Sequence, residues 1–317
     1  MVLAVALWQN RVMTEQPAFL PPTFKVPDAA VIMADGHRRI EANFAMVAGY
    51  RALQLDVHLP VAEGPFPAVV WIHGGGYNMG DRRSMSPWLE AADMVGKTLA
   101  EGIAFVSIEY RLGYEATFPA AVHDANAALR YLARYAKDLQ LDTQRIALWG
   151  ESAGAHLAML TAYTRGQDFF RGDLGVRAAN PLNIRLLLNW FGATDLATIK
   201  RPMDGSNASM PDGFRYTPEY FNLGADRHLD PDLRRLASPV THLAGATMPT
   251  VIFHGTADTM VPFQQAIALQ SGLTAAGQAV ELHPINGSEH GWMGQPQEVV
   301  NRIVNDSIGQ ISKHLKG

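Results

Sequence analysis

Short apolar runs alternate with longer amphipathic segments along most of this chain. Residues 53–59 alternate between apolar and polar positions, which predicts a half-buried strand that ends at Pro60. Mostly apolar runs predict further strands, buried in a sheet, at residues 68–72, 103–108, 145–149, 184–190 and 250–253, and residues 280–283 predict the last strand. Apolar residues at helical spacing predict helices at residues 88–99, 119–139, 263–276 and 298–315.

Because strand and helix alternate, we expect one α/β domain over residues 1–317, with a mostly parallel sheet, right-handed crossovers and helices on both faces. Two segments interrupt the pattern. Residues 1–50 predict an N-terminal extension, and residues 197–248 predict an insertion over the edge of the sheet. Either segment is a candidate cap.

The composition is that of a globular protein with a sizeable core, since 48% of the 317 residues are apolar and 18% are charged. A net charge of −4 argues against nucleic acid or an anionic membrane as the main partner. The absence of cysteine excludes disulfides, thiol nucleophiles and cysteine-based metal sites. Residues 1–8 are apolar but lack a basic leader and are too short to span a bilayer, so we expect a cytoplasmic protein that starts at Met1 or Met13. For the oligomeric state, the sequence is compatible with a monomer and with a homodimer.

The strand predicted at residues 145–149 leads into the sequence Gly150-Glu151-Ser152-Ala153-Gly154. Gly-x-Ser-x-Gly between a strand and a helix holds the serine on a sharp turn at the carboxyl end of a sheet. The two glycines are needed because larger side chains would clash where the strand and the helix approach each other. An ordinary serine in a strand–helix turn shows the same five letters, so the rest of the chain has to supply partners for Ser152.

A serine nucleophile needs a base, a group that orients the base, and donors for an oxyanion. His290 lies in a glycine-flanked loop after the last predicted strand, and Asp258 lies in the loop after the strand at residues 250–253. Such loops meet at the carboxyl edge of an open sheet, so we predict that His290 is the base and that Asp258 orients it. Asp195, which follows the strand at residues 184–190, is the alternative acid.

Backbone donors for the oxyanion are expected from two places. One is the amide of Ala153, next to the nucleophile, and the other is the turn His73-Gly74-Gly75-Gly76 after the strand at residues 68–72. A phosphate loop would place Gly-Lys-Ser or Gly-Lys-Thr directly after these glycines, and neither follows there. A dinucleotide-binding glycine pattern and a His-Glu-x-x-His motif are also absent from the sequence. We therefore expect no cofactor and no metal.

Together these motifs resemble the α/β-hydrolase superfamily, and within it the serine carboxylesterases with a His-Gly-Gly-Gly motif. The likeness covers residues 54–315 and depends on four motifs in a fixed order: His73 to Gly76, Gly150 to Gly154, Asp258 in His-Gly-Thr-Ala-Asp, and His290. The resemblance implies a catalytic triad of Ser152, Asp258 and His290, with oxyanion amides from Gly75, Gly76 and Ala153.

Different motifs of the chain are similar to two different groups within the superfamily. Residues 110–124 resemble the hormone-sensitive-lipase-like esterases, although Glu151 and Ala155 replace the aspartate and glycine usual there. Residues 254–262 are more similar to bacterial feruloyl and acetyl esterases, acyl-peptidases and arylformamidases. We expect Arg111 and Asp124 to form a structural pair that braces the sheet against a helix, and Glu151 to form a hydrogen bond near the nucleophile.

The resemblance implies hydrolysis of short- to medium-chain or aryl carboxylic esters through an acyl-enzyme on Ser152. Loop neighbours of the catalytic groups and aromatic residues of the insertion are candidate pocket walls: Tyr77, Met79, Trp88, Phe214, Tyr216, Tyr220 and Trp292. They would suit a small-molecule ester as the partner, without nucleic acid or a membrane. The alternatives are an amide or formamide hydrolase, such as an arylformamidase or acyl-peptidase, and a non-catalytic binding protein on the same fold.

Overall fold

The computed structural model describes residues 25–27, 30–47, 51–178, 181–199, 217–225 and 227–317. In these ranges nine strands form one sheet: β1 (Val31–Ile32), β2 (Arg38–Met46), β3 (Ala52–Leu59), β4 (Phe66–Ile72), β5 (Ala104–Ile108), β6 (Leu141–Glu151), β7 (Ile184–Trp190), β8 (Thr250–Gly255) and β9 (Val280–Ile285). Their spatial order is β1-β2-β3-β5-β4-β6-β7-β8-β9. The contacts of β1 with β2, β2 with β3 and β3 with β5 are antiparallel, and all the others are parallel. The expected mostly parallel sheet is confirmed. The carboxyl ends of its six parallel strands, β4 to β9, lie along one edge.

Helices cover both faces of the sheet. The described chain contains α1 (Pro87–Ala91), α2 (Met94–Ala100), α3 (Ala120–Arg134), α4 (Ala153–Tyr163), α5 (Asp168–Arg171), α6 (Pro218–Leu223), α7 (Pro231–Leu236), α8 (Gln264–Ala275) and α9 (Gln297–Lys316), with short 3₁₀ helices at Pro239–Gly245 and His290–Trp292. Helices α3, α4 and α8 contribute to one apolar core, and α1, α2 and α9 contribute to the core on the opposite face. None of these helices combines the length and the apolar character that crossing a bilayer requires.

Strands β1 and β2 lie inside the predicted N-terminal extension, so this part of it belongs to the sheet, and the cap role of the extension stays a prediction. The alternating side chains of Ile40, Ala42 and Phe44 are at most 7% exposed and face the core. The period of two is short here, and its middle position is only an alanine among charged neighbours, which weakens the signal in the sequence. Residues 1–24, with both candidate start methionines, lie outside the described residues.

The helix predicted at residues 88–99 is two helices, α1 and α2, that meet at Asp93. Asp93 has a φ of 50°, in the left-handed region, which breaks the helical path. Its carboxylate accepts the amide of Gly96 at 3.1 Å and thereby caps α2. The apolar spacing continues across the break, so the sequence pattern did not reveal it.

The described part of the predicted insertion holds α6, α7 and the 3₁₀ helix Pro239–Gly245. It packs near the carboxyl edge of the sheet. The amide of Phe118 donates to Asn222 O at 2.6 Å, and His156 on α4 donates from Nε2 to Ala237 O at 2.7 Å. Phe214 lies outside the described residues, as does Tyr216, so their predicted pocket contacts and the cap role of the insertion stay predictions.

A cluster of ion pairs fixes the loop after β4 to the sheet. Arg82 in this loop is 7% exposed and donates to Asp56 at 3.0 Å, to Glu109 at 2.6 Å and to Glu41 at 2.9 Å. Burial raises the pKa of Asp56, but hydrogen bonds from Arg83 and Arg82 outweigh burial and lower that pKa. Glu41 lies on β2, Asp56 lies on β3 and Glu109 lies directly after β5, so the cluster joins the loop to three strands.

The expected pair of Arg111 and Asp124 joins the segment after β5 to α3. The guanidinium donates to the carboxylate at 2.8 Å from Nη2 and at 2.9 Å from Nε, and the Arg111 amide donates at 2.8 Å. Asp124 is fully buried. The bidentate geometry therefore braces the helix against the sheet, as the sequence predicts.

Candidate active site

Ser152 lies at the turn between β6 and α4 with φ 51° and ψ −120°, a conformation that L-residues rarely adopt. The turn is sharp because the strand and the helix approach closely. A Cβ on Gly154 would lie 2.0 Å from Ile72 O, and a Cβ on Gly150 would lie 2.5 Å from the Gly154 backbone. The amide of Ser152 donates to Trp190 O at 2.8 Å and holds the turn against β7. The predicted elbow is present, and the serine side chain stays partly exposed.

The structure brings the three predicted catalytic side chains together. His290 Nε2 lies 2.8 Å from Ser152 Oγ, and His290 Nδ1 lies 2.8 Å from Asp258 Oδ2. Because a carboxylate only accepts, Nδ1 carries the proton, and Nε2 is left to accept the hydroxyl proton of Ser152. Asp258 is 5% exposed and His290 is 8% exposed, so the hydrogen bond between them is shielded from solvent, whereas the bond to Ser152 is partly buried.

Four donors surround the carboxylate of Asp258. Its second oxygen, Oδ1, accepts the amide of Met260 at 2.9 Å and the amide of Val261 at 2.7 Å. Burial raises the pKa of Asp258, but hydrogen bonds from His254 and His290 outweigh burial and lower the pKa from 3.8 to about 2. Asp258 is therefore ionised at any pH at which a neutral imidazole can act as a base.

Asp195, the alternative acid, caps its own segment of chain. Its carboxylate accepts the amide of Ala197 at 2.9 Å, and from Thr198 it accepts the amide at 3.2 Å and the hydroxyl at 2.5 Å. The geometry therefore favours Asp258 as the partner of His290. Within the described ranges, no three histidine or carboxylate side chains are grouped as metal ligands would be.

Aromatic rings pack against the His290 imidazole. Phe191, directly after β7, lies edge-to-face with His290 at a centroid distance of 4.8 Å, and Trp292 packs against Phe191 at 4.6 Å and against Trp190 at 5.3 Å. Phe191 has a strained φ of 40°. Sequence reasoning missed it because one phenylalanine after a strand carries no signal of its contacts. Trp292 is 2% exposed and its ring packs behind Phe191, so its predicted role as a pocket wall stays a prediction.

The glycine-rich turn after β4 has a backbone that only glycine adopts easily. Gly75 and Gly76 have φ values of 102° and 59°, and a Cβ on Gly75 would lie 2.2 Å from Met79 O. Their amides, like the amide of Ala153 at the start of α4, donate no hydrogen bond to any described residue. Unpaired amides beside a helix N-terminus are suited to an anionic oxygen.

Glu151 contacts this glycine-rich turn. The amide of Gly74 donates to Glu151 Oε1 at 3.4 Å, and a Cβ on Gly74 would lie 3.1 Å from Glu151 Cγ. Burial raises the pKa of the Glu151 carboxyl to about 7, while the Gly74 amide acts in the opposite direction. The Tyr110 hydroxyl donates to His73 O at 3.0 Å on the same turn. The expected hydrogen bond of Glu151 near the nucleophile is therefore present.

The remaining described residues of the predicted pocket differ in exposure. Met79 is 62% exposed at the glycine-rich turn. Tyr77 is 4% exposed and its ring meets His156 edge-to-face at 5.6 Å, so it packs between the turn and α4. Trp88 packs partly buried against the core on the α9 side, and Tyr220 is partly buried on α6. Contact of these side chains with a substrate stays a prediction.

The chain is similar to proteins that are named as esterases. Esterase LipQ of Mycobacterium tuberculosis is 26% identical over 248 residues, which are 76% of this chain and 54% of LipQ. Ethyl acetate hydrolase of Pseudomonas putida is 28% identical over 270 residues, which are 84% of this chain and 76% of that protein. This chain thus spans about half the length of LipQ.

A solved structure described as the truncated form of a carbohydrate esterase from gut microbiota matches with a TM-score of 0.67 and 24% identity, covering 92% of this chain and 99% of that chain. At this level of identity the likeness concerns the fold alone. The profile of the BD-FAE family matches residues 55–273, which is more than half of the chain. The chain therefore has the α/β-hydrolase fold, as the sequence predicts, and belongs to the BD-FAE family.

Proposed function

We propose that this chain is a serine carboxylesterase that hydrolyses small carboxylic esters through an acyl-enzyme on Ser152. One observation carries the proposal: Asp258, His290 and Ser152 are joined by two hydrogen bonds of 2.8 Å, beside backbone amides that have no partner among the described residues. This arrangement keeps a strained backbone at the serine, which a protein that only binds ligands would not need. The names of the two relatives support ester hydrolysis as the reaction class.

In the first step, His290 Nε2 accepts the hydroxyl proton of Ser152 while Oγ attacks the carbonyl carbon of the ester. The carbonyl oxygen becomes anionic and receives hydrogen bonds from the amides of Gly75, Gly76 and Ala153. Asp258 keeps the imidazole in its Nδ1–H tautomer and stabilises the imidazolium that forms. His290 then gives the proton to the departing alcohol, and the acyl group stays on Ser152.

In the second step, His290 Nε2 accepts a proton from water, and the oxygen of that water attacks the acyl carbon. The same amides stabilise the second oxyanion, and losing one such donor costs roughly 3–4 kcal/mol of barrier in comparable sites. His290 returns the proton to Ser152 Oγ as the acid departs. Every proton of the cycle therefore passes through one imidazole nitrogen.

The side chains near the glycine-rich turn support small, uncharged substrates. Met79 offers an exposed, flexible thioether there, and such a side chain adapts to apolar groups of different shape. Ethyl acetate, the ester in the name of the Pseudomonas putida relative, is of this class. We therefore propose short- to medium-chain or aryl esters as substrates.

Initial rates with an aryl acetate, an aryl butyrate, an N-formyl arylamide and an aminoacyl arylamide test the proposal. We expect turnover of the esters, and a loss of about 10⁶-fold in kcat for Ser152→Ala, as for other serine nucleophiles. Ser312→Ala, on α9, is the matched control and should keep wild-type rates. Preferred turnover of the formyl amide would assign the formamide hydrolase alternative. Ester turnover that survives in Ser152→Ala would contradict the mechanism.

A further inference from the structure

A second histidine lies beside the catalytic acid. His254, near the end of β8, is fully buried. Its Nε2 lies 2.7 Å from Val261 O and 3.3 Å from Asp258 Oδ2. Phe263 packs edge-to-face against the ring at a centroid distance of 5.8 Å. The reaction steps proposed above give this imidazole no task, although it contacts the acid directly.

The partners of the His254 ring determine which of its two nitrogens carries a proton. A backbone carbonyl and a carboxylate both only accept, so Nε2 carries a proton. Nδ1 is buried and has no hydrogen-bond partner among the described residues, so a proton there would lie unpaired in the core. The ring proton is therefore on Nε2, which lies 2.7 Å from Val261 O and 3.3 Å from the carboxylate of Asp258.

Both imidazoles face the same carboxylate oxygen. Asp258 Oδ2 accepts from His290 Nδ1 and faces His254 Nε2, whereas Oδ1 accepts the amides of Met260 and Val261. The His254 proton thus links the carboxylate at one end of the loop 258–261 to the carbonyl at its other end. We propose that His254 is a positioning residue that closes this loop around the acid and directs Oδ2 at His290. The inference rests on the proposed function and deepens it.

The loops of the acid and the base are pressed together, so a small change in the acid loop reaches the base. A Cβ on Gly255 would lie 2.2 Å from Ser288 O, and the amide of Ala257 donates to the same oxygen at 3.1 Å. Glu289, the titratable neighbour on the base loop, accepts from the amide and the hydroxyl of Thr259 at 3.0 Å. Contacts between the loops therefore fix their distance, and His254 fixes the angle of the carboxylate.

Two substitutions separate the hydrogen bond from the volume of the ring. His254→Gln keeps an N–H close to the Nε2 position, and His254→Leu fills a similar space without a donor. We expect His254→Leu to lower kcat for an aryl acetate about 10- to 100-fold, as for loss of one hydrogen bond to a charged group, with KM unchanged. His254→Gln should recover most of kcat. If the role of His254 were purely structural, the substitution would instead lower the melting temperature and would not lower kcat selectively at unchanged KM.

The proposal is overturned if His254→Leu keeps kcat within about twofold of wild type, or if both variants lose kcat equally. Should the leucine variant fail to fold, ¹⁵N NMR of histidine in the wild-type protein decides. We expect the proton of the neutral ring on Nε2 of His254, and an Nδ1–H tautomer would contradict the proposal. Absence of ester turnover in the wild type would instead refute the proposed function. The NMR measurement of the His254 tautomer does not depend on turnover and would still test the position of the ring proton.

Discussion

Replacing Asp258 by asparagine changes the chemistry of the proposed catalytic acid with almost no change of shape. In Asp258→Asn, one oxygen remains for the amides of Met260 and Val261, but an NH₂ group takes the place of the oxygen that faces His290 Nδ1. Two donors cannot bond to each other, so the imidazole adopts the tautomer with its proton on Nε2. That nitrogen then no longer accepts the proton of Ser152.

The expected loss in kcat is about 10⁴-fold, the value known for the same substitution in a serine protease triad, or about 5.4 kcal/mol of barrier. Stability changes as well. The pKa of Asp258 falls from 3.8 to about 2 on folding, which is worth about 2 kcal/mol. Since the folded-state pKa is the lower one, this stabilisation is present above about pH 4 and is lost as the pH falls through about 2. Asp258→Asn should therefore also lower stability at neutral pH.

The assay is kcat for an aryl acetate near neutral pH, with the melting temperature measured on the same samples. Asp195→Asn is the matched control, because Asp195 also accepts amides of its own segment but is hydrogen-bonded to Ala197 and Thr198 instead of His290. The control should keep kcat within about twofold of wild type. Retention of more than about a tenth of kcat in Asp258→Asn, against the loss expected for a triad acid, would refute the reasoning, as would equal losses in both variants.

Three further outcomes follow from the packing and the charges. Gly154→Ala should cost at least about 4 kcal/mol of unfolding free energy in denaturant titrations, because its Cβ would lie 2.0 Å from a β4 carbonyl oxygen. Gly309→Ala, on the exposed side of α9, should instead gain up to about 1 kcal/mol. Similar changes in the unfolding free energy of both variants would contradict the predicted clash at Gly154. Burial raises the pKa of Glu151 from 4.5 to about 7 on folding, so the folded protein binds this proton more tightly and its stability falls as the pH rises from about 4.5 to about 7. Glu151→Gln should therefore raise the melting temperature at about pH 8 but not at about pH 4.5. A gain that is independent of pH would exclude ionisation of Glu151 as its cause. Arg82→Met removes hydrogen bonds to Asp56 and Glu109, which keep Arg83 and Arg51 as their other partners, and should cost about 2–3 kcal/mol in thermal unfolding, as for loss of hydrogen bonds to charged groups. Arg235→Met in an exposed pair should cost less than about 1 kcal/mol, and equal costs would show that the buried cluster does not anchor the loop.

The parallel sheet was predictable because each of its buried strands is a continuous apolar run, and such a run has few alternative structures. The meeting of Ser152, Asp258 and His290 followed from topology, since loops at the carboxyl ends of parallel strands share one edge. Strand β2 was missed because only one of its faces is buried, so apolar residues are needed at alternate positions only. The short alternation of Ile40, Ala42 and Phe44 was too weak to separate from loop sequence.

Contacts that depend on distant parts of the chain were not predictable. Trp292 follows the catalytic histidine in sequence and therefore suggested a pocket wall, but its ring packs on Trp190 and Phe191, which come from β7 and the residue after it. His254 belongs to the motif that located the acid, yet its hydrogen bond to Val261 O depends on how the loop folds back. Strain at Phe191 has no signature in composition or spacing.

The most direct test of the central claim is mass spectrometry of the protein after treatment with a fluorophosphonate, which phosphonylates activated serine hydroxyls. We predict a single adduct, located on Ser152 by peptide mapping, that is absent from Ser152→Ala and forms much more slowly in His290→Ala. Labelling elsewhere, no adduct on the folded wild-type protein, or equally fast labelling of His290→Ala would contradict activation of Ser152 by His290.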